Sequence, residues 1–319
     1  MNILITGGMG YAGGRLAVHL REHFADSEIL ITSRNIRSKS PDWAKTFDVL
    51  KMDLLDDRSI DSCLKGRDID VIIHLAALNE IDSMKDPDAA FRVNTMGTYR
   101  LLSCAKDHGV SKFIYFSTFH VYGDTSSSVI TEDTPTRPYH PYAITHRAAE
   151  DIVTYFGHYH DMNTLILRLS NGYGYPMDRG VDRWTLVFND LCRQAVVDEK
   201  LVLKSSGEQY RDFISLSNVN TAVQHFLSIP IEKWGDGLFN LGEGCVMSIL
   251  DVATKVAKNY SLKYGAKEPI IERAVGKKGS AGSKFLFNID KLLQTGFKPQ
   301  DNMDVELAKT MELCEGFLK

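Results

Sequence analysis

Tyr142 and His146 stand four residues apart in Pro141-Tyr142-Ala143-Ile144-Thr145-His146-Arg147. Helical spacing stacks them on one face, a turn apart. A phenol gives or takes a proton, and an imidazole beside it supplies a hydrogen bond or, when charged, favours the phenolate. The pair suits acid–base work at a carbonyl or an alcohol. Thr118 and His120 lie in Phe116-Ser117-Thr118-Phe119-His120-Val121-Tyr122-Gly123, at the end of an apolar run. The carboxyl edge of a parallel strand faces the ligand crevice of an open α/β sheet.

Near the start, Gly7-Gly8-Met9-Gly10-Tyr11-Ala12-Gly13 follows one apolar run and opens a helical pattern. Glycines in that place let a backbone approach a pyrophosphate, which rests on the helix N-terminus. The second run ends Ile31-Thr32-Ser33-Arg34-Asn35, with Arg37 and Lys39 soon after. An NAD site usually has an acid there to hold the ribose 2′-hydroxyl. Here Ser33 and Arg34 stand instead, and a guanidinium grips a 2′-phosphate that a carboxylate would repel. NADP is the expected cofactor and NAD the alternative. Asp53, in Met52-Asp53-Leu54, is placed to meet an adenine edge or to cap the next helix.

These residues need a scaffold. Apolar runs at Asn2–Thr6, Glu28–Ser33, Asp48–Met52, Asp70–Leu75, Lys112–Ser117 and Thr164–Leu169 suit strands buried on both faces. Helical patterns lie between them, at Gly14–Phe24, Asp88–His108 and Tyr142–His158. The alternation predicts an α/β fold, a doubly wound parallel (Rossmann) sheet, with a smaller mixed C-terminal domain. Residues 1–171 with 212–242 are expected to form the dinucleotide-binding domain, and 172–211 with 243–319 the second. Ser248 opens a helix there, and Gly265 to Gly282 reads as a mobile loop.

The chain has 319 residues, 44% hydrophobic and 24% charged, with a net charge of −4. That excludes disordered and collagen-like classes and gives no basic stripe for nucleic acid. Five cysteines without a C-x-x-C spacing argue against disulfides and structural zinc. His158 and His160 lack a third ligand, so no metal is expected. With no signal-like segment and no membrane-length apolar run, a cytoplasmic protein without membrane association is expected.

The ordered set of motifs resembles the extended short-chain dehydrogenases/reductases, the sugar-nucleotide epimerases, dehydratases and reductases. Besides Gly7–Gly13, it includes His74-Leu75-Ala76-Ala77, Asn94 with Gly97-Thr98, Ser117–Gly123, Tyr142, and Leu167-Arg168 with Asn171 and Tyr173-Gly174. Arg211-Asp212-Phe213-Ile214, Phe239-Asn240-Leu241-Gly242 and Gly296-Phe297-x-Pro299 complete it. The resemblance spans almost the whole chain. It implies cofactor contacts at Gly7, Gly10, Tyr11, Ala12, Gly13, Ser33, Arg34, Asp53, Leu54, Leu75, Ala76, Ala77, Asn94, Tyr142 and His146. It implies that Thr118 bonds the reacting sugar oxygen, that Tyr142 is the acid/base, and that Asn171 and Arg211 hold the substrate diphosphate. Where relatives often have an Arg-containing phosphate contact this chain reads Lys277-Lys278-Gly279-Ser280, so the resemblance implies Lys277 as its substitute. Relatives often dimerise through helices starting near Asn94 and Tyr142, so a homodimer is expected, with Leu101, Leu102, Ala105, Ile152 and Tyr155 free to line it or to face the sheet.

Two departures from the family pattern matter. The residue at 146 is normally Lys, whose ammonium favours tyrosinate. A largely neutral imidazole does so far less, which tilts the chemistry from alcohol oxidation towards ketone reduction or else weakens it. Relatives that remove water carry Asp-Glu after Thr118, where this chain has Phe119 and His120. Phe exchanges no proton, which disfavours dehydration. His120 is then a further proton donor or a polar wall, and His140 is expected at the surface. The leading expectation is an NADPH-dependent reductase of a nucleoside-diphosphate 4-keto sugar. The runner-up is an epimerase with bound NAD, and a cofactor-sensing protein is a third reading.

Overall fold

The computed structural model describes residues 1–36, 40–124, 127–274 and 284–318. The chain divides into two compact units: Met1–Ser126 with Glu132–Leu169 and Gln224–Asn240, and Ser127–Thr131 with Ser170–Val223 and Leu241–Lys319.

The first unit is built on a seven-stranded sheet. Its leading strands are β1 (Asn2–Thr6), β2 (Glu28–Ser33), β3 (Asp48–Lys51), β4 (Val71–His74) and β5 (Lys112–Thr118). Asn163–Leu169 and then Leu238–Leu241 extend it beyond β5, while β4, β1, β2 and β3 follow on the other side. The pairings from β3 to Asn163–Leu169 are all parallel. Ile3, Leu4, Ile5, Ile72, Ile73 and Ile114 are fully buried. The strands are apolar along their length because helices cover both faces.

Crossing from β1 to β2, helix α1 (Tyr11–His23) begins directly after the glycine loop. Helix α2 (Asp57–Leu64) is capped by Asp56, whose carboxylate accepts the Arg58 N–H at 3.0 Å. That cap is not Asp53, which instead closes a tight turn onto the Leu55 N–H at 2.9 Å. The predicted helix Asp88–His108 is broken into Pro87–Ala90, a π-helical turn Phe91–Met96 and Gly97–Asp107. Leu101, Leu102 and Ala105 of the last piece are fully buried in the core with Leu4 and Phe113, so they face inward and line no outer surface. Helix Pro141–Tyr159 carries Tyr142 and His146.

In the second unit, Tyr210–Ser215 pairs parallel with Asn171–Tyr173 and antiparallel with Cys245–Ser248. The expected boundary at 212 differs for this reason: strand Tyr210–Ser215 belongs to this small sheet and not to the seven-stranded one. Helices Val187–Asp198, Ile249–Tyr264 and Met303–Cys314 bury Phe188, Leu191, Val252, Val256, Leu307 and Met311 together. Ser248 and Asp251 form a reciprocal capping box at the start of Ile249–Tyr264. Part of the expected loop 265–282 is a strand, Ile270–Arg273, paired parallel with Lys200–Leu203.

Candidate active site

The glycine loop is held open by backbone geometry. Gly7 has φ +68, a left-handed conformation that glycine alone adopts freely, and a Cβ there would sit 3.0 Å from the Ala76 nitrogen. A Cβ on Gly13 would strike the Gly7 carbonyl oxygen. The loop is tied to β2 by Gly8 N–H to Thr32 O at 3.0 Å. Such a cradle, opening on the first turn of α1, fits a pyrophosphate. Tyr11 and Ala12 are half-buried on that turn. At the end of β2, Ser33 bonds the Asn35 carbonyl at 3.0 Å and Arg34 is exposed. Arg37 and Lys39 lie outside the described residues. Leu54 is buried beside Gly97, and Asp53 is half-buried.

A chain of hydrogen bonds runs from the end of β1 to the Tyr142 helix. Thr6 Oγ1 accepts the N–H groups of Leu75 and Ala76, each at 3.2 Å, and its own proton goes to His74 Nδ1 at 2.6 Å. His74 Nε2 then donates to Thr98 Oγ1 at 3.1 Å, and Thr98 donates to the Asn94 carbonyl at 2.6 Å. Asn94, on the π turn, accepts the Leu78 N–H at 2.7 Å and donates to Thr145 Oγ1 at 3.1 Å. Thr145 donates to the Tyr142 carbonyl at 3.0 Å. Asn94 therefore positions the Tyr142 helix and the turn after β4 together. Burial, aided by nearby His146, lowers the His74 pKa to about 3, so it serves here as a neutral donor and acceptor.

The Tyr142 helix is pinned from β5 as well. Ser117 donates to Glu150 at 2.5 Å, and Arg168 clamps the same carboxylate at 3.0 and 2.8 Å. Arg168 also donates to the Tyr122 hydroxyl at 3.0 Å, which donates to Asn240 at 2.6 Å. Glu150 and Arg168 are buried, so this pairing holds only because every polar atom in it is engaged.

Within that frame four rings gather. Tyr142 and His146 have centroids 4.5 Å apart, edge to face. His120 lies 6.3 Å from Tyr142 and 5.3 Å from His140, and His140 stacks on Tyr142 at 6.2 Å. The expectation that His140 is a surface residue is corrected. Its ring caps the helix by accepting the Ala143 N–H at 3.3 Å, which draws it into the cluster. Thr118 is buried at the end of β5, its Oγ1 accepting the His120 N–H at 3.3 Å.

His146 is 3% exposed. Burial, with His120 adding to it, lowers its pKa to about 3, so the imidazole is neutral. Its Nδ1 is bonded to the Tyr115 hydroxyl at 2.7 Å, and its Nε2 is buried with no partner among the described residues. A buried unpaired ring nitrogen next to a phenol fits a hydroxyl-bearing ligand such as a nucleotide ribose. Tyr115 escaped the sequence reading. The available signal was a tyrosine in an otherwise apolar buried strand, whose hydroxyl needs a partner.

In the second unit Asn171 donates to the Asp212 carbonyl at 2.8 Å. Arg211 is exposed on Tyr210–Ser215, opposite Met247. Asp212 beside it is buried, and burial raises its pKa to about 7, Ser170 offsetting part of the rise. Lys277 lies outside the described residues. Asp61, Cys104 and His108, and not His158 or His160, bring three metal-type ligand atoms within 4.8 Å of one another. Asp61 already accepts His108 Nε2 at 2.8 Å, and burial and nearby carboxylates raise the Cys104 pKa to about 11. Two of the three atoms are thus already joined by a hydrogen bond, beside a protonated thiol.

No helix among the described residues is long and apolar enough to cross a membrane. Comparison with known proteins gives one consistent answer. The chain is 26% identical over 323 residues to a dTDP-D-glucose 4,6-dehydratase of Mus musculus, covering 97% of this chain and 87% of that protein. It is 28% identical over 316 residues to a UDP-glucose 4-epimerase of Rhizobium meliloti, covering 94% and 92%. The structure of the UDP-glucose 4-epimerase of Thermus thermophilus in complex with NAD superposes with a TM-score of 0.80 at 23% identity, covering 99% of each chain, a likeness of fold. Residues 3–242 match the family described as NAD dependent epimerase/dehydratase. With its glycine loop, its seven-stranded sheet and this match over most of its length, the chain belongs to that family, among the extended short-chain dehydrogenases/reductases.

Proposed function

We propose that the protein reduces the 4-keto group of a nucleoside-diphosphate sugar with NADPH. The observation that carries this reading is the neutral, buried His146 against Tyr142. Oxidising an alcohol needs phenolate as base, which a fixed positive charge would favour. Reducing a ketone needs the phenol as acid, which an uncharged neighbour leaves intact. The bound dinucleotide supplies hydride from its nicotinamide ring. Tyr142 delivers the proton to the carbonyl oxygen, Thr118 bonds that oxygen, and His120 borders it. Gly7, Gly10 and Gly13 would hold the pyrophosphate, and Ser33 and Arg34 the 2′-phosphate. Asn171 and Arg211 would grip the sugar diphosphate. Dehydration is disfavoured because Phe119 offers no exchangeable proton. The relatives favour a second reading, a 4-epimerase with retained NAD, and under it the same residues would act in both directions.

The reading extends to a cytoplasmic homodimer. Five free cysteines suit a reducing compartment. Phe91, Met96, Tyr99, Tyr155 and Tyr159 are large apolar residues exposed on the helical stretches from 91 to 107 and from 141 to 159.

The test is turnover of a nucleoside-diphosphate 4-keto-6-deoxy sugar with NADPH, followed by loss of the reduced dinucleotide. Expected are net reduction, a cofactor that exchanges freely, and a fall in kcat on the order of 10²–10⁴ in Tyr142→Phe. His146→Lys is expected to raise alcohol oxidation more than ketone reduction at neutral pH. NAD retained through purification, with interconversion of 4-epimers and no net redox change, would replace this reading with the epimerase.

A further inference from the structure

We propose that Tyr115 is a positioning residue that fixes the tautomer of His146, so that Nε2–H is presented to the dinucleotide ribose as an uncharged hydrogen-bond donor. The inference rests on the reading of Tyr142 and His146 as the hydride-transfer site.

The argument is one of proton counting. Tyr115 is 2% exposed, and its hydroxyl has a single hydrogen-bond partner among the described residues, His146 Nδ1 at 2.7 Å. A phenol has one hydrogen to give. If Nδ1 carried the ring proton, the phenol oxygen would accept it and the phenol hydrogen would be buried without an acceptor, at a cost of about 1–3 kcal/mol. The phenol therefore donates to Nδ1. A neutral imidazole bonded this way carries its proton on Nε2. Burial opposes the doubly protonated ring, and burial likewise keeps Tyr115 from ionising, so neither partner escapes the assignment. Nε2–H is then the one polar atom of the pair left for a ligand. The edge-to-face contact with Tyr142 limits how the ring can turn. An ammonium at this position would offer a donor together with a charge. Tyr115 and His146 together offer the donor alone.

The experiment reads the tautomer directly. The full chain is labelled with ¹⁵N-histidine, and His146 is assigned by loss of its signals in His146→Gln. Long-range ¹H–¹⁵N correlations are recorded without cofactor or substrate. The expected result is an unprotonated Nδ1 and a protonated Nε2, unchanged from pH 8 to pH 5 on the order set by burial. Tyr115→Phe is expected to release this state, with tautomer exchange at His146, and to weaken NADP⁺ binding about tenfold, the value of one lost hydrogen bond of roughly 1.4 kcal/mol. A wild-type spectrum with the proton on Nδ1, or Tyr115→Phe spectra and NADP⁺ affinity equal to wild type, would overturn the proposal. Should Tyr115→Phe not fold, the wild-type spectrum decides alone. Full turnover by Tyr142→Phe would sink the hydride-transfer reading and leave the tautomer result standing, so the two failures are told apart.

Discussion

A buried neutral histidine makes a protein sensitive to acid in one direction. His74 and His146 are both lowered to about 3 by burial, against an ordinary value near ~6.5 in an unfolded chain. Between those values the unfolded state binds more protons than the folded one. Stability is therefore complete above about pH 6.5 and is lost as pH falls towards 3. At pH 5 each histidine is expected to cost about 2 kcal/mol relative to neutral pH, from ~1.5 units at 1.36 kcal/mol each. Urea unfolding at pH 7 and pH 5 measures this. In His74→Gln, whose amide can both accept from Thr6 and donate to Thr98, the acid loss should shrink by His74's own share of about 2 kcal/mol. An unchanged slope would show that His74 is not the titrating group. The residue scale is also where the sequence was partly legible. Tyr142 and His146 are picked out by type and helical spacing. Tyr115 and His140 are not, because one acts through a strand-to-helix contact and the other through a helix cap, and neither leaves a spacing pattern.

Elements whose ends are decided locally were readable. β1 and β2 occupy the expected residues, since apolar runs between turn-forming residues leave little choice. Ile249–Tyr264 begins at Ser248 because the Ser–Asp pair satisfies two orphan N–H groups by itself. Ser248→Ala is expected to cost about 1 kcal/mol of stability, read as a shift in denaturant midpoint without a change in slope. A loss below a few tenths would mean that the box carries none of the helix's stability. The stretch 88–108 was not readable in the same way. Its π turn is held by Asn94 bonding to Leu78 and Thr145, residues far from it in sequence, and no local preference announces that.

At the scale of the molecule, the exposed apolar residues make a prediction about assembly. Tyr99, Tyr155 and Tyr159 are 42, 45 and 75% exposed on helices whose other faces are buried in the core. Isolated exposed aromatics are ordinary, but several on adjacent helices suit an interface. Sedimentation is expected to show a dimer, and Tyr99→Glu with Tyr155→Glu to shift it to monomer while far-ultraviolet circular dichroism stays constant. A wild-type monomer at micromolar concentration would refute the assembly. Overall architecture was legible because strand–helix alternation allows few arrangements. The membership of strand Tyr210–Ser215 was not, since a short strand does not declare which sheet it will join. The π turn at Phe91–Met96 has a last consequence. A wide turn amounts to one surplus residue in the coil. Deleting it would restore regular winding and swing everything downstream by about 100° about the axis, carrying Thr98 away from His74. Removing one residue from this stretch would therefore cost the His74–Thr98 bond, whereas changing an exposed side chain there would leave it in place.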